Sequence, residues 1–215
     1  MNLKSFTFKG GIHPPQYKRY SEKAGIEKAE EPKVATIPMQ QHIGAPCEPI
    51  VKVGDRVKVG QKIGEAKAFV SAPIHSSVSG IVKKISPMDT PTGSGVMCIT
   101  IESDGLNEIH ENVIPRGDIE SLSRDEIINI IKEAGITGQG GASFPTHVKL
   151  SPPPDKKIDT VILNGAECEP YLTADHRLML EYPEKIIYGL KALMKAVGVN
   201  KGYIGIENNK PDAIN

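Results

Sequence analysis

The chain has 215 residues, 39% of them hydrophobic and 24% charged, which excludes a disordered tail and a membrane-spanning bundle and is long enough for two compact units. Lys+Arg 26 balance Asp+Glu 26, so no diffuse positive field recruits nucleic acid or an anionic bilayer. The cysteines, Cys47, Cys98 and Cys168, are odd in number and far apart, which fits neither a disulfide framework nor a CxxC metal pair and reads as a reducing compartment. The opening MNLKSFTFKGG lacks an apolar stretch of signal-peptide length, and the uncharged run from Ala68 to Val82 is broken by Pro73 and His75. The expectation is a globular chain without direct membrane insertion.

Residues 1–33 join a Gly/Pro segment, Gly10-Gly11-Ile12-His13-Pro14-Pro15, to a charged stretch without periodicity, and read as an N-terminal arm. From Val34 to about Ser103 seven short β-branched runs alternate with turn signals: VATIP, PIVKV, DRVKV, QKIGEA, SAPIH, GIVKKI and VMCITIE. Seven strands at this spacing predict a small all-β barrel or sandwich over residues 34–110. Ser123-Arg124-Asp125-Glu126 has the form of a capping box ahead of a helix with Ile127, Ile130, Ile131 and Ala134 on one face, and Gly135 is placed to end it.

Thr160-Val161-Ile162-Leu163 is a continuous apolar run of buried-strand type. A helix from about Pro183 to Val197, stopped by Gly198, separates it from a second apolar strand, Gly202 to Ile206. Strand, helix, strand predicts a parallel βαβ unit. Two strands are too few for a doubly wound sheet, so residues 118–215 read as an incomplete α/β domain.

Two loops carry the candidate chemistry. Gly138-Gln139-Gly140-Gly141 has the side-chain-free character of a phosphate cradle near a helix N-terminus, though its spacing is neither GxGxxG nor GxxxxGKS. A tight turn requiring positive φ explains the same glycines. Asn164, Glu167 and Glu169 follow directly after the predicted parallel strand, at the carboxyl end where open α/β sheets bind ligands. Ordinary exposed carboxylates are the competing reading for the two glutamates. His13, His42 and His75 show no metal-ligand spacing and read as hydrogen-bonded side chains, and Cys168, between two glutamates, is not read as a nucleophile.

Gly138-Gln139-Gly140-Gly141-Ala142-Ser143-Phe144-Pro145-Thr146 with Lys149 resembles the flavin-binding glycine loop of the NADH-oxidising flavoprotein subunit of respiratory complex I, and Asn164-Gly165-Ala166-Glu167-Cys168-Glu169-Pro170 resembles its acidic loop. The segments Phe8 to Pro15, Ile37 to Pro46 and Val70 to Gly80 resemble the C subunit of the Rnf electron transport complex, and this second resemblance covers essentially the whole chain. Together they imply an all-β plus α/β chain: a lipoyl-like barrel-sandwich hybrid followed by part of a Rossmann-like FMN/NADH-binding domain. They imply FMN contacts from Gly138, Gln139, Gly140, Gly141, Lys149, Asn164 and Glu167, with Phe144 and Glu169 facing NADH. No catalytic proton donor and no metal ligand is assigned. Gln139 stands where complex I has Arg and Ala166 where it has Asp, which removes a charge and an acceptor and lowers the expected flavin affinity.

The resemblance further implies an electron-input subunit of an ion-translocating ferredoxin:NAD oxidoreductase, peripheral on the cytoplasmic face of the bacterial cell membrane. Its partners would be the other Rnf subunits and, through them, ferredoxin. Its [4Fe-4S] clusters would lie beyond Asn215, since no CxxCxxCxxxC run occurs here. Two alternatives stay open. Val53 to Gly64 is similar to biotinyl and lipoyl domains, which makes a carrier or docking module conceivable, with Lys67 the one candidate attachment lysine although it lacks the flanks of a hairpin tip. The other is the related subunit of a cobalamin reductase or sodium-pumping quinone reductase system.

Overall fold

Each of the seven β-branched runs contributes a strand in the computed structural model, which describes residues 10–12, 14–139 and 141–215. His13, Gly140 and the Phe8-Lys9 start of the first motif lie outside the described residues. The strands are β1 Val34–Pro38, β2 Glu48–Pro49, β3 Arg56–Val57, β4 Lys62–Glu65, β5 Ile74–His75, β6 Gly80–Thr90 and β7 Gly93–Ser103. They pair antiparallel into one sheet of order β1-β7-β6-β3 and another of order β2-β4-β5. Ile37 opposes Ile99 and Ala35 opposes Ile101, so the two-residue period sends both isoleucines of β7 inward. Met39, Val57, Ile63, Ile74 and Val82 close the same core. The β6–β7 hairpin runs further than its apolar runs indicate, with pairing continuing from Met88 opposite Val96 to Thr90 opposite Gly93.

Gly64 shows how tightly this core is filled. A Cβ there would stand 2.8 Å from Met39 Sδ and 3.1 Å from Ile74 Cβ. Gly64→Val is therefore expected to overpack the core and lower stability by about 1–3 kcal/mol, read as a fall in the chemical denaturation midpoint at unchanged slope.

After the barrel, α1 (Arg124–Glu133) starts on the anticipated capping box. Ser123 accepts from the Glu126 N–H while the Glu126 carboxylate accepts from the Ser123 N–H. Gly135 ends it at φ +67, and a Cβ there would fall 2.2 Å from the Pro73 carbonyl, so the turn is pressed onto the strand region before β5. One further helical turn, α2 (Thr146–Lys149), follows the glycine loop. Contacts group the chain otherwise than the composition shifts do: residues 29–157 form one unit, which holds the barrel, α1, the glycine loop and α2.

The other unit joins residues 158–215 to the arm up to Lys28. Its strands β8 (Val161–Gly165) and β9 (Gly202–Ile206) pair in parallel, Val161 opposite Gly202. Between them lie α3 (Ala174–Glu181) and α4 (Pro183–Val197), and α5 (Pro211–Ile214) follows β9. The βαβ expectation is met, with Pro183 in the first turn of α4 and Gly198 left-handed at φ +74 behind it. Leu190 and Met194 of α4 sit against Gly202, covering one sheet face, while Ile162 and Tyr203, partners in register, are exposed on the other. No helix among the described residues is long and apolar enough to cross a membrane.

Candidate functional site

The glycine loop is built as a closed loop with a two-rung neck. Gly138 N–H donates to Phe144 O at 2.9 Å and Thr146 N–H to Ile136 O at 3.0 Å, with Thr137 and Pro145 bridged antiparallel between them. Phe144 thus contributes its backbone to the neck while its ring is half-buried. Gly141 and Ser143 are both left-handed, at φ +55 and +48. Only glycine adopts that geometry without Cβ cost. A Cβ at Gly141 would meet nothing within 4 Å among the described residues, whereas one at Gly138 would lie 2.8 Å from Lys149 Nζ. The Lys149 ammonium therefore occupies the space that Gly138 leaves open; it is exposed and has no ion-pair partner among the described residues. Gln139 is exposed beside it.

The position of the glycines ahead of a helix predicts that part of the anion affinity comes from its N-terminus. The helix that follows has four residues, too short for an appreciable dipole, so the positive charge at the loop comes from Lys149. A free ammonium beside Cβ-free backbone has the donor chemistry of a phosphate cradle, and the residues present fit the phosphate of a mononucleotide.

The barrel supports this loop, which no local sequence signal discloses. Ile43 N–H donates to Ala142 O at 2.9 Å. His42, 5% exposed, accepts from Ala72 N–H at Nε2 (3.1 Å), which leaves Nδ1–H facing Ile43 O at 3.0 Å. His147, 2% exposed, donates from Nε2 to Phe69 O at 2.9 Å and sets its ring edge-on to Phe69, while its Nδ1 is buried without a partner among the described residues. Burial, ahead of the neighbouring Lys132 and His42, pushes the His147 pKa down. A cavity of about 350 Å³ opens here, lined by Gln40, Gln41, Thr92, Gly141 and Ser143 among others. Lys67, the candidate carrier lysine, is exposed in the β4–β5 connection. The carbonyls of Phe69 and Val70 in that connection are taken by His147 and Ala45.

In the other unit the acidic loop leaves the carboxyl end of β8 through an Asx turn, Ala166 N–H donating to Asn164 Oδ1 at 3.1 Å. Cys168 and Glu169 are exposed. Glu167 is turned inward at 3% exposure, and its Oε1 accepts from Asp175 N–H at 2.7 Å. It thereby supplies the cap that Thr173, the residue ahead of α3, does not. Its Oε2 has no hydrogen-bond partner among the described residues and faces Lys18 Nζ at 3.7 Å. Burial, then Glu167 and Glu169, hold the Asp175 carboxyl above its ordinary value.

Two family models account for most of the chain: the RnfC barrel sandwich hybrid domain matches residues 6–106 and the Nuo51 FMN-binding domain residues 131–215. A barrel-sandwich hybrid followed by an FMN-binding domain is thus the architecture. The chain is 54% identical, over its whole length, to 48% of the C subunit of the Na(+)-translocating ferredoxin:NAD(+) oxidoreductase complex of Acetobacterium woodii. It is 50% identical to the C subunit of the proton-translocating ferredoxin:NAD(+) oxidoreductase complex of Clostridium ljungdahlii, over 97% of this chain and 46% of that protein. Identity to the C subunit of the ion-translocating oxidoreductase complex of Rhodobacter capsulatus is 44%, over 99% of this chain and 41% of that protein. The chain spans about half the length of these curated relatives. The chain thus carries the RnfC barrel sandwich hybrid domain followed by the Nuo51 FMN-binding domain.

Proposed function

We propose that the chain forms the electron-input portion of an RnfC-type protein: it holds FMN and exchanges electrons with NADH on behalf of an ion-translocating ferredoxin:NAD oxidoreductase. The observation that carries this reading is the glycine loop, where a Lys149 ammonium without an ion-pair partner among the described residues stands beside Gly138 and left-handed Gly141 faces open space, within the residues matched by the FMN-binding domain. When bound, FMN supplies the conversion between the two-electron hydride of NADH and the single electrons that iron–sulfur clusters accept. The protein's contribution is positioning and electrostatics. Lys149 and the Gly138, Gln139, Gly140 and Gly141 backbone hold the phosphate end, and Asn164 adds a polar contact. Phe144 and exposed Glu169 meet NADH, and Glu167 serves from within by fixing the loop that carries Glu169.

The protein works peripherally on the cytoplasmic face of the cell membrane, beside the other subunits of its complex and, through them, ferredoxin. The [4Fe-4S] clusters that take up the single electrons are assigned to the half of the curated relatives' length that this chain does not span. The test is anaerobic NADH titration of the full-length protein after FMN reconstitution. Wild type is expected to bleach its flavin absorbance stoichiometrically. Glu169→Gln is expected to keep FMN and to lose about 1.5–3 kcal/mol of NADH interaction, read as roughly a ten- to hundred-fold fall in the apparent second-order rate of bleaching. Bleaching at the wild-type rate across NADH concentrations would remove Glu169 from the site, and failure of wild type to retain flavin would overturn the reading.

A further inference from the structure

We infer that Lys18, in the N-terminal arm, is a positioning residue for the acidic loop, and that the arm is a working part of the nucleotide site. The inference rests on the reading of Glu169 given above.

Lys18 is 7% exposed, although it lies in a stretch whose composition suggests solvated charge. A buried ammonium is tolerated only when its three protons are met and its charge is balanced. Here the protons are met by three carbonyls of one short segment: Glu167 O at 2.6 Å, Leu172 O at 2.9 Å and Glu169 O at 3.2 Å. The charge is balanced by the Glu167 carboxylate at 3.7 Å. Residues 167–172 are therefore wrapped around one cation, and the backbone of Glu169 is held while its carboxylate stays exposed.

The surrounding contacts hold the arm in place. Tyr171 N–H donates to Gln16 O at 2.8 Å, and Ser21 Oγ donates to Tyr171 O at 3.2 Å. The Tyr17 and Tyr171 rings stack at 5.1 Å although both residues are left-handed, at φ +53 and +69. Non-glycine residues keep that conformation only where neighbours impose it. Arg177 and Glu181 of α3 fasten the next stretch through Glu22 O and Ile26 N–H. Without Lys18, the carboxylates of Glu167, Glu169 and Asp175 would face one another with Lys210 as the other cation acting on Asp175. Like-charge repulsion would then open the loop.

The test is hydrogen–deuterium exchange on the full-length protein, joined to NADH titration of the flavin-loaded form. It compares Lys18→Met with Lys23→Met, which removes the same charge from an exposed position of the same arm. In Lys18→Met the amides of residues 167–173 are expected to exchange roughly ten-fold faster or more, while those of β8, β9 and α4 keep wild-type protection. KM for NADH should rise by a similar factor with kcat within about two-fold, and Lys23→Met should match wild type in both measurements. Unchanged loop protection and KM in Lys18→Met would overturn the inference. So would loss of protection throughout β8, β9 and α4, because Lys18 would then support the fold at large. If wild type takes up no FMN, the functional reading fails while exchange still decides whether Lys18 holds the loop.

Discussion

Gly141→Val in the full-length protein is expected to purify free of flavin, with the FMN:protein ratio falling at least ten-fold below that of wild type. Two effects add. Valine at φ +55 is strained by about 1–2 kcal/mol, because a β-branched Cβ crowds its own carbonyl in the left-handed region. The added side chain would also project into space that no atom of the described chain fills, which on the present reading is where a bound mononucleotide approaches the backbone. The neck hydrogen bonds at Gly138 and Thr146 lie outside this strain, so the barrel should keep its unfolding midpoint. Flavin absorbance and denaturation of the same sample separate loss of the site from loss of the fold. Retention of stoichiometric FMN by Gly141→Val would make the loop a structural turn.

Acid is expected to loosen the junction between the barrel and the glycine loop well before the surface carboxylates titrate. The His147 pKa is depressed, chiefly by burial, as is that of His75, where burial acts first and Lys62 second. The unfolded chain therefore binds these protons before the folded one does. Stability is complete above the unfolded value of about 6.5 and falls as pH drops below it toward the depressed folded values. For His147 the limiting slope is about 1.4 kcal/mol per pH unit. Glu126 and Glu133 have lowered pKa values, from hydrogen bonds with Ser123 and Lys62 respectively, so their contribution is lost at more acid pH, below about 4.5. Denaturation midpoints at pH 7.5, 6.5 and 5.5 should decline, and His147→Phe should decline less steeply because it removes one titrating group. Equal slopes for the two proteins would show that His147 does not carry the effect.

Much of the fold was legible because the signals are local. The seven β-branched runs became seven strands, the Ser123–Glu126 capping box opened α1, and Pro183 and Gly198 bracket α4 as read. Each depends on side-chain period or on turn and cap chemistry within a few residues. The α-helices that escaped among the described residues, α2, α3 and α5, are four, eight and four residues long and have no N-cap side-chain bond of their own. The first turn of α3 takes its cap from Glu167, a partner no short sequence window announces. Both candidate loops were visible as motifs; their internal construction was not. The closed neck of the glycine loop depends on Phe144 and Ile136 reaching across it, and its support on Ile43 and His147 meeting residues 99 and 78 positions away.

Local sequence dictates where strands, caps and glycine turns form, and it singles out two loops by their glycines and carboxylates. Those properties follow from backbone sterics and short-range hydrogen bonding. What the charged and titratable side chains do is settled by folding alone. Lys18 lies 149 residues from Glu167 in the chain, and composition places it in a solvated arm, yet it is buried among the carbonyls of the acidic loop. Glu167 and Glu169, alike in sequence, part into a buried helix cap and an exposed carboxylate. The physical reason is desolvation: whether a charge is costly, paired or free depends on the groups that surround it after folding, and those are contributed by segments distant in sequence.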